Sequence, residues 1–125
     1  MINKATIADS VNLISQTHGF SMNVDDLIED IVLLAEVWPD KDEFLTASLS
    51  IRRAIRQIID GKVAGTELSY GLTGWYSYHF QHVRQQGMKA DMRIVYQPTN
   101  DGIIVKGFGN RHLPKDIYRR LRDMR

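Results

Sequence analysis

The chain contains no cysteine. Disulfides, thiolate metal sites and a cysteine nucleophile are therefore excluded. Long apolar runs are also missing: nothing approaches the roughly 18–20 residues that a membrane-spanning helix needs. The start, "MINKATIADS", has neither a long apolar stretch nor a small-residue cleavage site, so no secretory signal is expected and the cytoplasm is the expected compartment. Proline is scarce. Only Pro39, Pro98 and Pro114 occur, so each can be read as punctuation. No GxGxxG, GxSxG or HExxH pattern and no Walker lysine is present, and "GFGN" lacks the spacing of a nucleotide fingerprint. There is no internal repeat or low-complexity tract.

What remains is an ordinary globular composition, 43% hydrophobic and 25% charged in 125 residues, enough for one domain with one modest core. The net charge of +1 conceals an uneven distribution. Residues 1–50 hold two basic and nine acidic side chains, whereas residues 51–125 hold fourteen basic and six acidic. Two readings follow. The basic half meets an anion, with nucleic acid the leading candidate, or the two halves attract each other within the fold.

Residues 1–62 read as acidic helices. "TIADSVNLISQTHG" spaces Ile7, Val11 and Ile14 helically, with Gly19 as its stop. "NVDDLIEDIVLLAEVW" opens on Asn23 as a cap and sets Leu27, Ile28, Ile31, Leu34 and Trp38 on one face. Pro39 ends it. "DKDEFLTASLSIRRAIRQIIDGK" restarts with Asp40 and Glu43 at capping-box spacing, and Arg52, Arg53 and Arg56 fall on its outer face.

Residues 63–125 change pattern. "GKVAGTELSYGLTG" reads as a glycine-rich loop, and "WYSYHFQHV" alternates like a strand. "MRIVYQ" and "IIVKGFG" are two more strands, joined by "PTNDG", whose Asn100-Asp101-Gly102 can supply left-handed conformations. "LPKDIYRRLRDMR" is a short terminal helix with Pro114 in its first turn and an arginine-rich solvated end. The expected architecture is a single α+β domain in which N-terminal helices cover one face of an antiparallel meander. The other face is left open.

Strand alternation decides what lies on that open face. Tyr76, Tyr78 and Phe80 form the better core face, so Trp75, Ser77 and His79 face away from it. Arg93 likewise opposes Met92, Ile94 and Tyr96. Arg111 and His112 follow the third strand, and Lys106 joins them if its register agrees. His79 and His82 stand three apart on a strand, hence on opposite faces, so no metal site is expected. Arginines bind phosphate bidentately and stabilise a phosphoryl transition state. Histidine moves protons near neutral pH. Together they suit RNA cleavage by its own 2′-OH, with no cofactor, while Tyr118 or Trp75 could stack on an unpaired base. Each also has a plain reading as a solvent-facing polar or core aromatic residue.

Several stretches have a familiar order. "LTGWYSYHF", "ADMRIVYQPTNDGIIVKGFGNRH" and "DIYRRL", preceded by "AIRQIIDGKVAGTEL", resemble the RelE/ParE superfamily of bacterial type II toxins over roughly the last 75 residues. The resemblance implies a compact α+β toxin fold. It implies an endoribonuclease that cuts mRNA on the ribosome or, on the ParE side, a gyrase poison or a binding module. A cognate antitoxin would be its protein partner, and a homodimer stays open. By the same resemblance Arg93 contacts the scissile phosphate, His79 transfers protons, and Asp91 is the acidic position found in the YafQ-like branch. Arg111 and His112 are the basic pair after the last strand, and Tyr118 is the terminal aromatic. Lys106, Trp75 and Arg119 are candidate RNA contacts. The family opens with a strand feeding a helical hairpin, and no such strand is legible here. The link "QHVRQQGMKAD" is longer than in many members. The acidic N-terminal helices could lie across the basic face and damp activity, or simply cover the sheet.

Overall fold

Three side-chain caps start the N-terminal helices in the computed structural model, which describes residues 1–125. Asn3 accepts the Thr6 N–H at 2.8 Å and opens α1, Lys4–Ser15. Asn23 accepts the Asp26 N–H and opens α2, Val24–Val37. Asp40 accepts the Glu43 N–H and opens α3, Lys41–Ile59. Each cap satisfies a donor that the first helical turn leaves unpaired.

Between α1 and α2 lies a strand that the sequence pattern does not reveal. β1 is Phe20–Ser21, two residues long and parallel to the last strand. α1 therefore ends before Gly19 rather than at it. Gly19 takes φ +86° and offers its carbonyl to the Ile103 N–H at 2.9 Å. The "GTEL" stretch likewise contains a strand, β2, Thr66–Glu67, paired with β3, Tyr76–Phe80. β4, Met92–Pro98, and β5, Ile103–Asn110, complete a mixed five-stranded sheet ordered β1-β5-β4-β3-β2. The meander is present, but a parallel strand has been added at its edge. Two-residue strands carry too little periodicity to be read from sequence.

The β4–β5 turn forms where the turn chemistry places it, with Thr99 N–H bonded to the Gly102 carbonyl. It contains no left-handed residue. Gly102 answers a different need: a Cβ there would stand 1.9 Å from the Gly19 oxygen, so glycine alone lets β1 approach β5.

One face of the sheet carries the main core. Ile14, Leu27, Ile31, Leu34, Phe44, Ile51 and Ile55 pack on Met92, Ile94, Val105 and Phe108, with Tyr76, Tyr78 and Phe80 at the margin. The second face is only half open. α4, Ile117–Met124, lies on it, and Ile117 and Leu121 bury against Leu72 and Val95. Pro114 precedes this helix instead of entering its first turn. The close approach depends on Gly107, where a Cβ would meet a Leu121 methyl at 2.3 Å.

The two edges of the sheet are finished differently. β1 covers only Ile103 and Ile104 of β5. Beyond it, side chains from α2 and α4 close the edge. Asp30, buried on α2, accepts the Phe108 N–H at 2.9 Å and the Arg120 guanidinium at 2.5 Å. Arg125 binds both Asp30 oxygens, Glu29 and the Lys106 carbonyl. Arg120 and Arg125 are thus internal pairs rather than a solvated helix end, and part of the acidic–basic division is spent inside the fold. At the other edge β2 covers only Tyr76 and Ser77, and β3 is uncovered beyond them.

Candidate active site

Pairing brings the first two candidates together: His79 on β3 lies directly opposite Arg93 on β4. Both point away from the main core. His79 is exposed, and Arg93 is half-buried. They line a cleft of about 590 Å³ with Asn110, Arg111 and His112 at the end of β5.

Arg93 is held by backbone carbonyls. One terminal nitrogen donates to the oxygens of Ala90 and Met92, both at 2.9 Å. No carboxylate pairs with it, and its Nε is buried without a partner. Such a guanidinium retains its full charge and free donors, which suits an anion.

Tyr118 completes the group. Asp116 caps α4 by accepting the Tyr118 N–H, and the Arg111 guanidinium donates to the same carboxylate oxygen at 2.7 Å. Arg111 also covers the Tyr118 ring, 4.6 Å from its centroid. The phenol oxygen lies 2.7 Å from the Ser77 hydroxyl and 3.3 Å from His79 Nε2. Ser77 is buried and was not among the candidates, since a strand serine carries no distinguishing pattern.

Electrostatics follow from this crowding of cations. Partial burial, then Arg93, then Arg111 hold the His79 pKa below its usual 6.5, so the ring is neutral at physiological pH. Burial alone would raise the Asp116 carboxyl, but the hydrogen bonds from Arg111 and the Tyr118 N–H outweigh it and leave the carboxyl below its ordinary value.

Asp91 belongs to a different pair. It lines the cleft and its carbonyl accepts the Arg111 N–H, but its carboxylate binds the ring and N–H of His82. His82 in turn lies against Trp38, with ring centroids 4.3 Å apart. The Asp91 carboxylate is thus engaged on the α2–α3 side of the sheet, and histidine pairing was not legible because it crosses a loop. Lys106 and Trp75 are brought together elsewhere. A register shift after Val95 makes Lys106 the unpaired residue of β5. Its ammonium sits over the Trp75 ring and donates to the Arg125 carbonyl, at the opposite end of α4 from Tyr118. Arg119 lies on the exposed side of α4, against a hollow shared with Glu29 and Lys115. The acidic helices do not cross the cleft, where Asp91 is the only acidic residue. No group of three or more His, Asp or Glu side chains is arranged to hold a metal ion.

No helix is long and apolar enough to cross a membrane. The chain matches no protein-family model, no curated protein and no solved structure.

Proposed function

We propose that the cleft cleaves RNA by attack of its own 2′-OH, and that the chain is a toxin-like endoribonuclease acting on ribosome-bound mRNA. The observation that carries this reading is Arg93, a guanidinium without a carboxylate partner, set opposite a neutral histidine in a cleft it shares with Arg111 and His112. The scissile phosphate sits against Arg93 and Arg111, which offset the charge that builds on its oxygens. His79 takes the proton of the 2′-OH. The 2′-oxygen to phosphorus bond forms as the bond from phosphorus to the 5′-oxygen breaks, and the 5′-oxygen leaves with a proton from His112. The products are a 2′,3′-cyclic phosphate and a 5′-OH. Tyr118, fixed by Ser77 and Arg111, orients the His79 ring.

Support for the RelE/ParE resemblance comes from β1, which feeds the α2–α3 hairpin as that family's opening strand does. An antitoxin and the ribosome enter as partners on the same ground.

The test is primer extension on a reporter mRNA in a reconstituted translation reaction. Ribosome-dependent cuts are expected from the wild type. His79→Ala should lower the rate by about 10²–10⁴-fold, the usual contribution of a general base. Arg93→Ala should cost on the order of 10²-fold or more through lost charge stabilisation. Cuts that persist in both variants would remove this cleft from the reaction. No cuts from the wild type would transfer the reading to a gyrase-directed binder, tested by DNA supercoiling.

A further inference from the structure

A second hollow begins where the cleft ends. A groove of about 510 Å³ runs along the uncovered edge of β3, between that strand and α3. His79 and Ala90 line both the groove and the cleft, so the two adjoin at these residues. Arg53 of α3 and Arg84 of the β3–β4 link face into it from opposite sides. Both are exposed. Neither has a carboxylate within ion-pairing distance, whereas Arg111, Arg120, Arg122 and Arg125 all do. The link is shaped from within: Gln81 donates to the carbonyls of Gln85 and Met88 and accepts the Gln85 N–H. Tyr78 and Phe80 form part of the wall, their rings stacked with centroids 5.8 Å apart.

We infer that this groove binds single-stranded RNA, with Arg53 and Arg84 taking the phosphates next to the one held by Arg93. The inference rests on the reading of the cleft as an RNA-cleaving site. It adds a path for the substrate strand and two residues with no part in the chemistry. The contrast between the sheet edges argues for it. At β5 the exposed edge is closed by an internal ion-pair network, while at β3 the edge is left uncovered and flanked by uncompensated cations. Free guanidiniums beside half-buried aromatics are what a flexible polyanion with base faces requires.

The experiment is fluorescence anisotropy with a short, labelled single-stranded RNA whose sugars are all 2′-O-methylated, so that it cannot be cut. Binding is measured across a salt series for the wild type, Arg53→Ala/Arg84→Ala, and Arg53→Gln/Arg84→Gln. Each lost phosphate contact lowers the salt slope by about 0.7 for a single strand, so the double variants should lose roughly 1.4 in slope and about tenfold in affinity at low salt. Both residues are exposed, and thermal melts should be unchanged. A wild-type slope retained in both double variants overturns the groove and leaves the His79 cleft standing. A wild type that fails to bind the RNA overturns it as well. Displacement of the RNA by polyglutamate at matched charge would reassign the groove to an acidic polypeptide. Slope loss without any cleavage in the translation reaction would remove the catalytic reading and keep the groove as an RNA-binding surface.

Discussion

At the scale of single residues, His79 is defined by its neighbours more than by its type. Its pKa is depressed by partial burial and by the cations Arg93 and Arg111. For a base, a depressed folded value means that the unfolded chain binds more protons below pH 6.5. The His79 contribution to stability is therefore complete above that pH and is lost as pH falls toward the folded value. An NMR titration of the imidazole should give a midpoint below 6.5, and Arg111→Gln should move it upward by removing one repelling charge. A midpoint unmoved by that substitution would show that Arg111 does not act on the ring. The same logic places the acid limb of a His79-dependent cleavage profile below pH 6.5. His79, Arg93, Arg111 and His112 were all readable from strand alternation and chain position. Tyr118 was readable as an aromatic for base stacking and as the terminal aromatic of the resemblance, but its contact with His79, like the part of Ser77, came only through the fold.

Among the elements, α4 has the largest effect on the site because it supplies Tyr118 and narrows the second face. Gly107 admits it. Gly107→Ala forces a methyl against Leu121. It should cost about 1–3 kcal/mol in chemical denaturation, the range for overpacking. Cleavage should fall with it, since Tyr118 and Arg111 shift together. Asp30 anchors the far end by joining α2, β5 and α4. Asp30→Asn leaves the buried Arg120 guanidinium without an anion and removes one of three carboxylates from Arg125, and it should destabilise by about 3–5 kcal/mol, a loss read in the denaturant midpoint. The helices α1–α3 were legible because caps and apolar spacing coincide. β1 and β2 were not, because two residues show no period.

For the whole molecule, stability is concentrated at the centre of the sheet. Ile94 and Val95 are fully buried on β4, which is paired on both sides, and Phe108 is fully buried on β5 with its N–H held by Asp30, whereas β1 and β2 are two-residue edges. Hydrogen exchange should therefore be slowest at the β4 and β5 amides and much faster at Thr66 and Glu67. Equal protection along the sheet would mean that it opens only as a unit. The overall charge has two destinations. Asp26, Glu29 and Asp30 are consumed by Arg125, and Asp30 also by Arg120. Arg53, Arg84 and Arg93 stay uncompensated along two adjoining hollows. Internal attraction thus accounts for Arg120 and Arg125, and the anion-binding proposal rests on the arginines left without a carboxylate.

The sequence by itself determined the α+β class, three capped helices, the three long strands and the side of the sheet on which His79 and Arg93 lie. These are local matters of period, capping and turn chemistry, each settled within a few residues of chain. The tertiary structure alone decided which charges pair. Asp30 finds Arg120 and Arg125 some ninety residues away. Asp91 turns to His82, and Lys106 is drawn to Trp75 by a one-residue register shift. Pairing energy depends on distance and burial, and neither is written in the local order of residues.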